Sequence, residues 1–410
     1  MSNLKKIEGG VTTPQGFTAG AVYTAIKKRE NKKPDVAVLY SDLPCSCAAC
    51  FTTNKFCAAP VILDREILKK GKARAVVINS GNANAATGKQ GIEDARTVER
   101  EAEKLLGLGE DEVFVCSTGV IGQRLPVDKV LQGIREIIPA KLAKENGSEA
   151  ASAIMTTDTI SKEIAIETEI GGKTVTLGGM CKGSGMIHPN MCTMLGFVTT
   201  DVNISKEMLQ KCVSADVVDS FNMISVDGDT STNDTLLVLA NGMAGNEEIT
   251  AEGEDYDNFC KALHEITTFL AKKMAGDGEG ATALFETKVI HAASKEDART
   301  LAKSVICSSL TKAAIFGHDA NWGRILCALG YSGAKFDPEN VDLYFESKSG
   351  KIHIFGNGVA CDYSEEEATK ILSDPEVTAL VDMHMGDAEA TAWGCDLSYD
   401  YVKINADYRS

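Results

Sequence analysis

The chain has 410 residues, 44% hydrophobic and 24% charged, which is an ordinary globular balance. Its net charge of -16 argues against a nucleic-acid backbone or an anionic membrane surface as partner, because both need a basic face. No run approaches the ~18 apolar residues that span a bilayer, and the start, "MSNLKKIEGGVTTPQGF", lacks the apolar core of a signal peptide.

In chain order, "ARAVVINSGNAN" predicts a buried strand running into an Asn/Gly loop. "IEDARTVEREAEKLLGL" has apolar residues at helical spacing, "DEVFVCSTGVIG" predicts a second strand, and "VDKVLQGIREII" a helix starting after Pro126. "KEIAIETEIGGKTVTLGGM" alternates on both sides of Gly171 and Gly172, the pattern of a hairpin. A helix ("KEMLQKCVSADVVDSF"), a strand ("TLLVLAN") and a long helix ("FCKALHEITTFLAKKMA") follow. "ALFETKVIHAA" predicts a strand and "KEDARTLAKSVICSSL" a helix; "NVDLYFES", "KIHIFGNG" and "YVKINADY" predict a strand-rich end. At about 150 residues per domain, the length gives two or three domains or one large interleaved one. Strands and helices mix throughout, so sheets covered by helices are expected, and the hairpins argue against a purely parallel sheet.

The stretch "KGSGMIHPNMCTMLGFVTTD" concentrates chemistry, with His188, Cys192 and Thr193 as possible reagents. A thiol is the best intrinsic nucleophile, but Cys192 has no local base or positive field to make it a thiolate. The plainer reading is a small buried hydrophobe. His188 precedes Pro189, which holds it extended or in a turn, and a base needs a geometry that sequence does not show. Thr193 is inert as an internal residue. If the peptide bond before it is cut, its own α-amine, with a reference pKa of about 7.7–8.0, becomes the base for its hydroxyl. A glycine- and proline-rich approach suits the strained backbone such a cut requires.

This stretch closely resembles the self-cleavage segment of the ornithine acetyltransferases, with Cys192 where that family usually has Ala. "GGVTTPQGFTAGAV", "NSGNANAATG", "STGVIG", "AIMTTDT", "GDGEGATALFE", "GHDANWGRI" and "INADYRS" resemble further family signatures, in family order along the whole chain. The resemblance implies an α/β sandwich of the self-processing ornithine acetyltransferase/aminopeptidase type, with mixed sheets covered by helices. It implies a cut between Cys192 and Thr193, giving an α chain, 1–192, and a β chain, 193–410. The last ~120 residues of the β chain are a candidate subdomain. The products are expected to stay associated, as an α2β2 unit.

The implied activity moves the acetyl group of N-acetylornithine to glutamate through an acetyl-threonine, in arginine biosynthesis in the cytoplasm. Neither metal nor dissociable cofactor is needed, and in bifunctional members acetyl-CoA also charges the threonine. Thr193 is the implied nucleophile. Thr118 and Gly119 are the implied oxyanion groups, a hydroxyl and a backbone N–H that can donate to a tetrahedral oxyanion. Implied substrate contacts are Thr156 (with Thr157 beside it), Lys182, Thr193, Glu279, Asn405 and Ser410. Lys182 suits an α-carboxylate and Glu279 the δ-ammonium of acetylornithine. On sequence grounds alone, the plainer readings are a solvated surface lysine for Lys182 and an exposed turn residue for Glu279, which lies between two glycines.

Two rivals stand beside this reading. One is an amidase or aminopeptidase sharing the fold and self-processing. The other is a cysteine-ligated metal protein, because "CSCAACFTTNKFC" sets Cys45, Cys47, Cys50 and Cys57 close together. Their spacing matches no standard ligand pattern, and the 13 cysteines, an odd number, fit reduced thiols better than a disulfide framework. Elemental analysis of purified protein is expected to find no stoichiometric zinc or iron; one metal per chain would favour the second rival.

Overall fold

The structure is a computed structural model, and it describes residues 4–27, 32–188 and 194–406. Pro189, Cys192, Thr193 and Ser410 lie outside the described residues. The chain divides into two compact units. The first comprises Met1–Gly183, Pro189–Asn222 and Thr230–Leu270; the second comprises Ser184–His188, Met223–Asp229 and Ala271–Ser410.

The strands of the first unit are β1 (Lys5–Ile7), β2 (Phe17–Val22), β3 (Val36–Phe51), β4 (Lys72–Asn82), β5 (Val113–Val120), β6 (Lys162–Ile170), β7 (Lys173–Lys182) and β8 (Leu195–Thr200). After the short β9 (Ile224–Ser225) of the second unit, β10 (Thr235–Ala240) completes them. Among the described residues they form a nine-stranded mixed sheet, ordered β1-β6-β7-β8-β10-β3-β4-β5, with β2 also paired to β3. β4 and β5 are parallel, as are β8 and β10, while β7 and β8 are antiparallel. Parallel neighbours need a crossover, and α2 (Gly88–Leu106) supplies the one between β4 and β5. α1 (Ala59–Lys70), α3 (Val127–Ala140), α4 (Gly147–Ala153) and α5 (Lys206–Asp216) also pack on this sheet. The continuous run "AVVI" in β4 is buried throughout, which explains why it does not alternate.

The predicted hairpin is β6–β7, turning at Gly171 and Gly172 with φ of 56° and 69°, a conformation a side chain would strain. Cys45 and Cys47 lie in the apolar core of this unit, where burial pushes the Cys45 thiol up to about 12 and also raises the Cys47 thiol well above its ordinary value. Cys50 is buried, and the half-buried Cys57 donates to the Asn54 carbonyl at 2.8 Å. Among the described residues no three His, Cys, Asp or Glu side chains converge to hold a metal ion.

The second unit carries β9, β11 (Leu284–Ala292), β12 (Asp342–Ser347), β13 (Gly350–Gly356), β14 (Val359–Ala360), β15 (Glu376–Asp382) and β16 (Ala388–Cys395). They form a seven-stranded sheet among the described residues, ordered β14-β13-β12-β15-β11-β16-β9. α6 (Glu254–Gly276) contains the boundary between the units, after Leu270. α7 (Lys295–Cys307) packs on β11 and β16, and α10 (Glu365–Leu372) on β12 and β13.

Two expectations are corrected here. "KEDARTLAKSVICSSL" is not one helix: it breaks at Ser308, whose side chain caps α8 (Ser309–Phe316) by accepting from Thr311 N. α9 (Trp322–Gly330) follows. The strand predicted for "YVKINADY" is instead α11 (Tyr399–Asn405), capped by Ser398. The alternation that suggested a strand has no sheet to face, since Val402 and Ile404 are both exposed. Among the described residues no helix is long and apolar enough to cross a membrane.

The compact units are a different partition from the expected products 1–192 and 193–410. β8 and β10, which follow position 193, pair with β7 and β3, which precede it. A cut before Thr193 therefore leaves two products sharing one hydrogen-bonded sheet.

Candidate active site

In the first unit, β5 ends beside the loop that leaves β4, with Ser80 opposite Thr118 and Gly81 opposite Gly119. The loop is held by its own asparagines. Asn79 Nδ2 donates to the Asn82 carbonyl at 2.9 Å, and Asn82 Oδ1 accepts from Asn84 N at 2.8 Å. Ser117 Oγ donates to Asn79 Oδ1 at 2.6 Å. The two backbones approach so closely at Gly119 that a Cβ there would lie 2.3 Å from the Gly81 carbonyl carbon and 2.5 Å from Asn82 N. Gly119 also has φ of 136°, so only glycine fits.

Lys182 ends β7 opposite Leu195, the first residue of β8. It is buried, not a surface lysine, and its Nζ donates to Thr118 Oγ1 at 3.4 Å. An ammonium cannot accept a hydrogen bond, so this contact turns the Thr118 hydroxyl hydrogen toward some other acceptor. Two expected oxyanion groups and an expected carboxylate-binding cation thus lie together, at the level of the sheet where the chain resumes after position 193.

Asp158, given no role by the sequence reading, organises this cluster. Its Oδ1 accepts from Lys162 Nζ and from Gly183 N, each at 2.7 Å, and its Oδ2 accepts from Thr156 N at 3.0 Å. Both the Asp158 and Lys162 side chains are wholly buried. Burial opposes the carboxylate charge, but the Lys182 and Lys162 charges outweigh it and hold the carboxyl well below the usual carboxylate range. Thr156 and Lys182 are therefore both tied to one buried anion, Thr156 through its backbone and Lys182 through its charge and its neighbour Gly183.

In the second unit, Glu279 is only 6% exposed, so the exposed-turn alternative fails. Its N–H donates to the Ser184 carbonyl at 2.9 Å, and its Oε2 accepts from Asn405 Nδ2 at 2.7 Å. α11 thus brings Asn405 onto Glu279. Asp227, also missed, accepts from Met186 N at 2.7 Å, Ile187 N at 3.0 Å and Tyr401 Oη at 3.2 Å. It fixes both the approach to His188 and the base of α11. His188 Nδ1 sits 3.1 Å from Ser225 Oγ and 3.5 Å from Cys307 Sγ. Burial, with the Lys303 charge, pushes its imidazole down to about 4, so it is neutral at physiological pH.

No periodicity marks Asp158 or Asp227: Asp158 joins nearby Thr156 N and Lys162 Nζ to the distant Gly183 N, and Asp227 works through the distant Met186 N and Ile187 N. The available signal was proximity: Asp158 lies in "AIMTTDT", four residues before Lys162.

Gly119→Ala is expected to displace the Gly81–Asn82 backbone and lower acetyl transfer by about 100-fold with the fold retained. Steady-state kinetics with circular dichroism checks this, and unchanged activity would remove Gly119 from the oxyanion role. Asp158→Asn leaves two buried ammonium groups uncompensated and is expected to cost about 3–5 kcal/mol at neutral pH. The folded carboxyl lies below its unfolded value of about 3.9, so its stabilisation is present above that pH and fades as pH falls through the folded value. Denaturation midpoints of variant and wild type should therefore converge toward acid; a gap that widens there contradicts the assignment.

Comparison with known proteins bears on the whole chain. The family model described as the ArgJ family matches residues 18–410. The arginine biosynthesis bifunctional protein ArgJ of Caldanaerobacter subterraneus subsp. tengcongensis is 51% identical over 407 residues, covering 99% of this chain and 100% of that protein. The Clostridium acetobutylicum protein of that name, ArgJ 1, is 50% identical over 411 residues, covering all of both chains. A crystal structure of the Bacillus halodurans protein of the same name is similar at 48% identity, with a TM-score of 0.49, covering 51% of this chain and 97% of that one. With a family model matched over nearly its full length and relatives half identical from end to end, this chain belongs to the ArgJ family.

Proposed function

We propose that this chain is an acyltransferase of arginine biosynthesis that moves an acetyl group from N-acetylornithine to glutamate. The observation that carries the proposal is the cluster of half-buried Thr118 and Gly119 with buried Lys182 beside the start of β8. It supplies oxyanion donors and a cation where the chain resumes after Thr193.

The chain first cuts itself. Thr193 Oγ attacks the Cys192 carbonyl, the C–N bond breaks and frees the Thr193 α-amine, and hydrolysis of the resulting ester releases the Cys192 carboxylate and restores the Thr193 hydroxyl. In turnover that amine takes the Thr193 hydroxyl proton as Oγ attacks the acetyl carbonyl of N-acetylornithine. The oxyanion is held by the Thr118 hydroxyl and the Gly119 N–H. Collapse breaks the amide C–N bond, the α-amine returns the proton to the departing ornithine amine, and an acetyl-threonine remains. Glutamate's amine attacks this ester, and breaking its C–O bond gives N-acetylglutamate and restores the hydroxyl.

Lys182 serves as a point charge for the substrate α-carboxylate, beside Thr156. Glu279, with Asn405 donating to it, suits the acetylornithine δ-ammonium, and Ser410 offers a further hydrogen bond. None of these steps needs a metal or dissociable cofactor. The word bifunctional in the relatives' names supports acetyl-CoA as a second donor. The α and β chains are proposed to stay together as an α2β2 enzyme of the cytoplasm, a reading supported by β8 and β10 pairing with strands that precede the cut.

Intact mass should show wild type as two fragments meeting at Cys192–Thr193, and Thr193→Ala as one inactive chain. Purified enzyme given glutamate and either N-acetylornithine or acetyl-CoA should form N-acetylglutamate, with free acetate a minor product. A full-length, fully active wild type would sink the N-terminal threonine mechanism, and acetate as the main product would favour the amidase.

A further inference from the structure

The stretch "STND", Ser231–Asp234, has no part in the reaction just described, yet it is wired to both sides of it. Asn233 Nδ2 donates to two carbonyls, Ala83 at 2.6 Å and Ser117 at 2.8 Å. Ser117 directly precedes Thr118, and Ala83 lies in the loop packed against Gly119. The amide is itself fixed, since its Oδ1 accepts from Thr232 Oγ1 at 2.6 Å. Asn233 therefore joins the oxyanion strand to the start of β10.

The next residue joins β10 to the strand that follows Thr193. The Asp234 carboxyl takes the N–H of Met194, and the neighbouring Thr235 N donates to the Met194 carbonyl at 2.7 Å. Both backbone groups of Met194 are thus held from positions 234 and 235, just before the β8–β10 pairing begins at Leu195 and Thr235. The Asp234 carbonyl accepts from Thr52 N at 2.9 Å, which fixes the pair against β3.

Asp234 is an expensive residue for a purely structural post. It is 2% exposed, and its Oδ2 is sealed from solvent with no hydrogen-bond partner among the described residues. Leaving a buried polar atom unmatched is costly, and such atoms ask for a reason other than stability. Burial favours the neutral acid, raising the carboxyl well above its usual range against the pull of Ser231 and of the Lys182 charge. A neutral carboxyl still accepts from the Met194 N–H through its carbonyl oxygen.

We propose that Asn233 and Asp234 are positioning residues that set the separation between the oxyanion donors at the end of β5 and the nucleophile two residues before β8. This rests on Thr193 being that nucleophile. A misplacement of about 1 Å can cost a factor of about 100 in rate, so truncating either residue should be felt in self-cleavage first. Once the chain is cut, the same loss should lower kcat while leaving KM near its wild-type value, because neither side chain binds substrate.

The test uses full-length chain and follows the two fragments by intact mass after synthesis, with circular dichroism and gel filtration as fold controls. Asp234→Ala and Asn233→Ala should each slow cleavage by about 100-fold. Asp234→Asn, which is neutral, has the same shape and keeps an acceptor for Met194 N–H, should restore cleavage and transfer together. A folded Asp234→Ala or Asn233→Ala cleaving at the wild-type rate overturns the proposal, as does an Asp234→Asn as slow as the alanine variant. If Asp234→Ala does not fold, Asn233→Ala and Asp234→Asn decide. A wild type that stays one chain sinks the self-processing reading as well, whereas cleaving wild type beside equally fast variants sinks only this one.

Discussion

An ionised carboxylate without water must be surrounded by donors and positive charge, and Asp158 meets that demand inside the first unit. Its oxygens take the Lys162 ammonium and the N–H groups of Thr156 and Gly183, with the Lys182 charge nearby. These partners come from three pieces of backbone, so one side chain fixes the end of β7, the start of β6 and the Thr156 turn relative to one another. The placement of Lys182 against Thr118 follows from that arrangement. The anion thus does for the polar end of the sheet what apolar packing does for its middle.

The same sheet bears on the expected cut before Thr193. β8 and β10 belong to the expected β chain, but their hydrogen-bond partners β7 and β3 belong to the expected α chain. Breaking the peptide bond before Thr193 removes none of those bonds. Burial across the central strands, including the wholly buried Phe197 of β8, adds an apolar contribution that dissociation would forfeit. The expected cut would therefore change one covalent bond while the strand pairing on either side of it stays.

The two carboxyls of the first unit that feel the Lys182 charge differ in their electrostatics. Asp158 is held well below the usual carboxylate range by two lysines, whereas burial raises Asp234 and favours its neutral form. Environments that push similar acids apart are how one site offers both charge and neutral hydrogen bonding at the same pH. The Lys182 charge pulls both of these carboxyls downward.

Sequence by itself determined the mixed α/β character, the β6–β7 hairpin at Gly171 and Gly172, and most helices, because period and turn chemistry are local properties. Motif order along the chain also carried the family and the list of candidate residues. It misjudged "YVKINADY", where two alternate apolar residues mimic a strand although no sheet covers them, and it ran one helix through the cap at Ser308. Only the tertiary structure decided that Lys182 and Glu279 are buried, that Gly119 touches the Gly81–Asn82 backbone, that Asp158 meets Gly183 N and Asn233 the Ala83 and Ser117 carbonyls, and, in the second unit, that Asp227 meets Met186 N and Ile187 N. Those roles arise from donors brought together across dozens of residues, and no local pattern in a chain encodes which distant N–H a carboxyl will meet.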